Sequence, residues 1–183
     1  MKNALRSCLF ALPLMVAAAG AQAAPSIYYD VAGAPASSVS STVTSCTAVG
    51  SCTLSTSLAA GLGNQMFSLE EGQSHTFNFF NVSVGAGLVG TGVGEIVATL
   101  AFDLPSGISV VGEGSGSWVS FLGVVTGGAL FWSDMPKHVA LSDGSSFEVS
   151  FSNIANFGVG STATVQATVK TTHVPEPLTL GLL

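Results

Sequence analysis

Residues 145–154 read SSFEVSFSNI. Phe147, Val149 and Phe151 fall on every second position, with Glu148, Ser150 and Ser152 between them. Side chains of a strand alternate between its two faces, so this segment has one apolar face and one hydroxyl-bearing face. That is the pattern of an antiparallel strand lying on a core with its other side in water. The pattern extends in both directions along the chain. Residues 162–170 (TATVQATVK) set Ala163, Val165, Ala167 and Val169 in one phase, and residues 94–103 (GEIVATLAFD) do the same with Ile96, Ala98, Leu100 and Phe102. Residues 75–84 (HTFNFFNVSV) begin in phase with Phe77 and Phe79 and resume with Val82 and Val84. The slip at Phe80-Asn81 predicts a bulge or bend. Residues 26–31 (SIYYDV) read as a first strand. Residues 117–125 and 129–133 read as two more, joined by a hairpin connection at Thr126-Gly127-Gly128.

No long stretch carries helical periodicity. Residues 57–66 (SLAAGLGNQM) allow a turn or two, weakened by Gly61 and Gly63. Residues 104–107 (LPSG) and 133–137 (SDMPK) break the chain between strands, and residues 33–45 read as a surface loop or edge strand. The glycine-rich runs 90–96 (GTGVGEI) and 111–117 (VGEGSGS) read as loops, with no helix after them to complete a phosphate cradle. A short internal echo links LEEGQSHTFNFFN (69–81) with LSDGSSFEVSFSN (141–153). It marks either a duplicated hairpin, the two copies pairing across a sandwich, or a shared turn type. Gly72 and Gly144 fall where such a turn needs a positive φ. The expected fold is all-β: an antiparallel β-sandwich of the jelly-roll or Ig-like kind over residues 24–173, with flexible termini.

Composition bounds the setting. Residues 1–23 combine Lys2 and Arg6, a short apolar run and a small-residue AQA site. That is a secretory signal, cut by signal peptidase between Ala23 and Ala24. Its removal leaves Lys137 and Lys170 against ten acidic residues, a net charge of about −8 with the histidines neutral. Nucleic acid is excluded as a partner, because phosphate backbones need clustered Lys and Arg. Only 8% of the chain is charged, so the surface must be dressed mainly in small hydroxyls and glycine. Two cysteines remain, Cys46 and Cys52 in CTAVGSC. In an oxidising compartment they are expected to form a disulfide, worth about 2 kcal/mol for so small a loop.

No residue set specifies catalysis. There is no GxSxG, and His75, His138 and His173 share no spacing with one another or with the cysteines that would hold a metal. Glu70 and Glu71 are adjacent and flank a turn, so they cannot face each other as paired carboxylates. Asp103, Asp134 and Asp143 lie near strand ends, where loops could gather them around calcium, but without an EF-hand pattern. Trp118 and Trp132 sit on neighbouring strands of one hairpin and have two readings, core packing or stacking on a sugar ring. The expectation is a non-enzymatic protein without cofactor or metal.

The chain ends in VPEPLTLGLL, residues 174–183. Pro175 and Pro177 hold that segment extended and deny it helix or sheet. Val174, Pro175, Glu176 and Pro177, followed by the start of an apolar run, resemble the PEP-CTERM sorting signal of exported bacterial proteins. In that family the motif precedes a membrane helix and a cluster of arginines, and the protease-transpeptidase exosortase processes it. The resemblance implies that the sequence stops within the membrane helix, the remainder of which would anchor the protein transiently. Leu178 stands where a serine is more usual. More loosely, residues 69–85 followed by 94–105 are similar to the β-rich body of many proteins of this group. The resemblance implies an exported surface or extracellular-matrix protein of a bacterium, associated with exopolysaccharide in biofilm or floc formation. The rival expectation is a carbohydrate-binding or adhesive module with a defined ligand site.

Overall fold

The computed structural model describes residues 24–85, 88–122, 124–157 and 162–176. The expected signal with Ala23, the flexible ends and the stretch from Pro177 onward lie outside the described residues. The strands are β1 (Ser26–Val31), β2 (Ser38–Ala48), β3 (Thr53–Leu58), β4 (Met66–Glu70), β5 (Ser74–Gly85), β6 (Val89–Leu104), β7 (Ile108–Phe121), β8 (Val124–Trp132), β9 (Lys137–Ala140), β10 (Ser146–Phe151) and β11 (Thr162–His173). One 3₁₀ turn, Leu62–Asn64, lies between β3 and β4. Sheet A runs β4-β1-β6-β7-β8, with β2 also paired to β6, and sheet B runs β3-β5-β11-β10-β9. Every pairing is antiparallel. Two curled, half-barrel sheets thus enclose one core, the expected all-β sandwich-like fold.

The period-2 segments behave as read. Phe147, Val149 and Phe151 of β10, Val165, Ala167 and Val169 of β11, and Ile96, Ala98, Leu100 and Phe102 of β6 all point into the core. The bulge in β5 lies one residue earlier than the sequence pattern placed it. Val165 faces Phe80 while Gln166 faces Asn78, so Phe79 is the extra residue. Phe79 and Phe80 are consecutive and both fully buried, which an unbulged strand could not achieve.

The glycine-rich runs are not loops. Residues 90–96 and 111–117 are the interiors of β6 and β7. Gly92, Gly94, Gly112, Gly114 and Gly116 all lie on the inner face, with Gly94 directly opposite Gly116 and Gly92 opposite Trp118. A Cβ on Gly92 would overlap the Trp118 indole, one on Gly94 would meet the Leu54 side chain, and one on Gly112 would meet the rings and methyls of Phe151 and Met135. These glycines form a trough in which large side chains rest on bare backbone. The hairpin turn is corrected for the same reason. The chain reverses after Phe121, at Leu122, not at 126–128. Gly128 is inside β8, pressed by Trp118 and Phe157, and Thr126 takes the bulge in the β7–β8 register.

The two echoed segments do share a turn type, with Gly72 at φ 81 and Gly144 at φ 88. Their strands, β5 and β10, do not pair across the sandwich. They flank β11 on its two sides in sheet B. Residues 33–45 supply the edge strand β2, which joins β6 where β1 leaves it. Buried Ser37 closes that seam: its hydroxyl donates to the Ala32 carbonyl and accepts from the Ala101 amide, at 2.6 and 3.0 Å.

Two links tie the sheets at their margins. Cys46 and Cys52 form a disulfide, as expected, joining the end of β2 in sheet A to the start of β3 in sheet B. On the far side the chain after β10 crosses to β8, where Leu130 and Ile154 exchange backbone hydrogen bonds of 2.8 and 2.9 Å. Between these margins the core is aromatic. Tyr29 stacks on Phe67 at 5.2 Å and meets Phe147 edge-on at 5.3 Å, while Phe151 packs against Phe79 at 4.9 Å and Trp132 at 5.1 Å. The Tyr29 hydroxyl pairs with Thr171 Oγ1 at 3.0 Å.

Gly92→Val should lower unfolding stability by about 3 kcal/mol through overpacking against Trp118. The neighbouring outward change Val93→Thr, which keeps the β-branch, should stay within about 0.5 kcal/mol. Urea unfolding of both variants checks this, and equal stabilities would refute the trough. Tyr29 provides a second test. Burial raises its pKa above the ordinary 10.0, and the Thr171 bond works in the opposite direction. Below pH 10 both folded and unfolded tyrosine are neutral. Above it the unfolded chain ionises first, so stability falls as pH rises. Tyr29→Phe should flatten that alkaline loss while costing about 1 kcal/mol at neutral pH. Parallel slopes for the two proteins between about pH 10 and 12 would contradict it.

Candidate functional site

The outer faces of the two sheets differ in chemistry. On sheet B, β5 turns Thr76, Asn78 and Asn81 outward, and β11 turns out Thr162, Thr164, Gln166 and Thr168. Cross-strand register places these groups side by side and they bond to one another. Thr76 and Thr168 hydroxyls lie 2.8 Å apart, Thr164 donates to Asn81 Oδ1 at 2.8 Å, and Gln166 Nε2 donates to Asn78 Oδ1 at 3.2 Å. The ladder fixes the orientation of amides and hydroxyls over an uncharged strip, with Lys170 and Glu148 only at its far end. Such a strip can bond many hydroxyls of an extended ligand, each weakly.

Sheet A carries the apolar groups. Among the described residues, every large hydrophobic side chain that is exposed lies on its strands or adjoining turns. Val93, Val97, Val111, Val119 and Phe131 alternate there with serine and threonine. An open depression of about 280 Å³ on this face is bordered by Glu95, Val97, Glu113, Ser115 and Ser133. Sequence reasoning missed that Glu95 and Glu113 share one face, because the run that holds Glu113 was read as a loop. The two carboxylates lie diagonally on adjacent strands of one open face, not on opposing walls of a cleft as glycoside chemistry requires.

The tryptophans are corrected. Trp118 is 2% exposed and Trp132 9% exposed. Trp118 lies along the Gly92 backbone, and its indole N–H has no hydrogen-bond partner among the described residues. Trp132 donates its indole N–H to the Ser152 carbonyl at 3.1 Å. Neither ring can stack on a sugar in this fold, and the core reading holds for both.

The aspartates are not brought together. Asp134 pairs with Lys137 at 2.8 Å and accepts from the Glu113 amide. The hydrogen bond to Lys137 is the main reason its carboxyl sits below the usual range. Asp143 accepts from the Ser145 amide in its own turn. Among the described residues no group of three or more His, Cys, Asp or Glu is placed to hold a metal. His75 packs its ring on Phe67 at 4.3 Å, and His138 lies 3.8 Å from Glu148 at the edge of sheet B.

The start of the C-terminal motif is docked on the body. His173 is the last residue of β11 and not part of a tail. Its Nδ1 lies 3.2 Å from Glu71 Oε2, and the same oxygen accepts from the Val174 amide at 3.1 Å. Val174 is 8% exposed and belongs to the core, Pro175 lies beside the Gly144 turn, and Glu176 is exposed. The body therefore reaches past the expected boundary at residue 173. Ala24 is exposed at this same end, since β1 starts opposite Glu70 and β11 finishes near Ser74. An open depression of about 470 Å³ there is lined by Tyr28, Leu104, Leu141, Asp143, Val174 and Pro175 among others.

The disulfide fits an oxidising, extracellular environment. Among the described residues no helix is long and apolar enough to cross a membrane. No protein-family model, curated protein or solved structure matches this chain.

Burial of both indoles sets a test. Trp118→Ala and Trp132→Ala should each cost about 3–5 kcal/mol in urea unfolding. A loss under about 1 kcal/mol in either variant would place that ring outside the core.

Proposed function

We propose that this chain is an exported, non-enzymatic surface or extracellular-matrix protein that contacts exopolysaccharide through the outer face of sheet B. The observation that carries the reading is the uncharged ladder of Thr76, Asn78, Asn81, Thr164, Gln166 and Thr168, held in register by its own cross-strand hydrogen bonds. A preordered array of this kind lowers the entropy cost of many weak contacts. It suits a broad, flat attachment to a polyhydroxylated chain more than a deep site.

In this reading signal peptidase cuts between Ala23 and Ala24, and an exosortase-type enzyme processes the segment opened by Val174, Pro175, Glu176 and Pro177. The disulfide is in keeping with that route. So is the exposure of Glu176 immediately after the docked Val174 and Pro175, which leaves the glutamate of the motif accessible. The protein would act in biofilm or floc cohesion. A second reading, a carbohydrate-binding or adhesive module with a defined site, is favoured by one observation. Tyr28 is half exposed in the depression at the terminal end, near Ser26, Asp143 and Ser145, and an exposed phenol can stack on a sugar ring.

One binding experiment separates the two. The variant Asn78→Ala/Thr164→Ala/Gln166→Ala should lose at least about tenfold in retention on the producer's own exopolysaccharide. Its Tm should move by no more than a few degrees, because all three side chains are exposed. Unchanged retention in the triple variant, with loss in Tyr28→Ala, would transfer the site to the depression. Unchanged retention in both removes the polysaccharide reading.

A further inference from the structure

The end of the sandwich opposite the termini is apolar and without charge. Three turns meet there on neighbouring strands. The Val49 amide donates to the Val89 carbonyl, and the Leu88 amide donates to the Val49 carbonyl. Val89 lies opposite Phe121, and Phe121 opposite Val124. Val49, Leu88, Val89, Phe121, Leu122 and Val124 are all exposed, Leu122 by 70%. Leu122 also holds φ 53, a left-handed conformation that Gly, Asn or Asp adopts more easily. Neither the backbone nor the core calls for a leucine at that point.

The charge map is as uneven. The sequence has no Asp, Glu, Lys, Arg or His in residues 31–69, 76–94, 114–133 or 149–169, the four segments that build this end. Along β6 the first charge after Val89 is Glu95, roughly 20 Å back from the tip. Glu95 and Glu113, at mid-strand, are the acidic residues nearest the tip along β6 and β7, while Asp30, Glu70, Glu71 and both lysines outside the expected signal lie toward the end that carries the termini.

We propose that this tip is a self-association surface, and that two copies of the chain dock tip to tip about a two-fold axis. The exposed side chains offer on the order of 600 Å² per copy, enough for the roughly 1,000 Å² total that a specific interface needs. The charge distribution selects the occupant. The acidic halves of two copies repel, and tip-to-tip docking keeps the nearest carboxylates some 40 Å apart, several Debye lengths at physiological salt. A lipid surface is the weaker fit, since no Lys or Arg flanks the tip to meet anionic headgroups. The termini of each copy then point away from the interface in opposite directions. If the surface-protein reading above holds, on which this consequence rests, a tip dimer bridges two tethering surfaces.

Sedimentation velocity on the exported chain tests the proposal. The wild type should show a monomer–dimer equilibrium at micromolar concentration, little changed between about 0.15 and 0.5 M sodium chloride. Phe121→Ser and Leu122→Asp should each weaken the dimer at least tenfold. The second substitution suits the left-handed backbone, so loss of folding is not its expected effect. Phe131→Ser, exposed in the middle of sheet A, should leave the equilibrium unchanged. A wild type that stays monomeric to millimolar concentration overturns the proposal, as does a dimer that Phe131→Ser abolishes and Leu122→Asp does not. A monomer that floats with phosphatidylcholine vesicles through Leu122 also overturns it, in favour of lipid. Loss of polysaccharide retention with the dimer intact would sink the proposed function and leave this surface standing.

Discussion

The closeness of the two sheets depends on what is missing from the inner face of sheet A. Gly92, Gly94, Gly112, Gly114 and Gly116 leave a strip of bare backbone across β6 and β7. Trp118, Trp132, Phe151 and Leu54 occupy the space that side chains there would fill. Large and small residues are complementary across the core, as close packing demands. The aromatic chain from Tyr29 through Phe147, and from Phe79 through Phe151 to Trp132, can run the length of the sandwich because the opposite wall recedes to meet it. The disulfide at one margin and the Leu130–Ile154 exchange at the other then close sheets that are already in contact.

That arrangement separates the outer surfaces by chemistry. Sheet B receives its apolar residues on the inside in an alternation interrupted at the β5 bulge, and so presents mainly hydroxyls, amides and a few charges outward. Sheet A sets glycine inside and valine outside along part of β6 and β7, while Tyr29, Leu100, Phe102, Trp118 and Trp132 still fill the rest of its inner face. The long axis is divided as well. The termini, the docked Val174 and most of the charges share one end, while the disulfide loop and the apolar turns share the other. A molecule with two chemically distinct faces and two distinct ends has more than one way to make contacts, and none of them needs a catalytic pocket.

How legible this was in the sequence follows from the side chains. Strands with an apolar inner face, such as β10 and β11, announced themselves by period two, and the Cys46–Cys52 pair by its spacing. β6 and β7 were half hidden. Where the inner residue is glycine there is no apolar signal, so residues 90–96 and 111–117 looked like loops although they are the centre of sheet A. The hairpin at 126–128 was misplaced because Gly128 serves close packing inside β8 and not the turn. Burial of the tryptophans was open to either reading, because the residue that decides it, Gly92 facing Trp118, lies in the run taken for a loop. The Glu71 contact with Val174 joins residues 103 apart in sequence, and no local pattern could have shown it. The polar ladder of sheet B was visible as alternation, but its hydrogen bonds required the register.

The exposed valines of sheet A do not all ask for a partner. Glycine is a poor strand former, through backbone entropy and for want of a side chain to pack. β6 and β7 carry several on one face, so their strand preference has to come from the other. Thr91, Val93, Val97 and Thr99 on β6, and Val111 and Val119 on β7, are β-branched residues on that outer face, and β-branched residues favour the extended backbone. They stabilise the pairing of two glycine-rich strands even while facing water. This account stops where the strands stop. Val49, Leu88 and Leu122 lie in turns, where β-propensity offers nothing and polar residues would serve better. The apolar residues of the tip are therefore the ones that the fold itself does not explain.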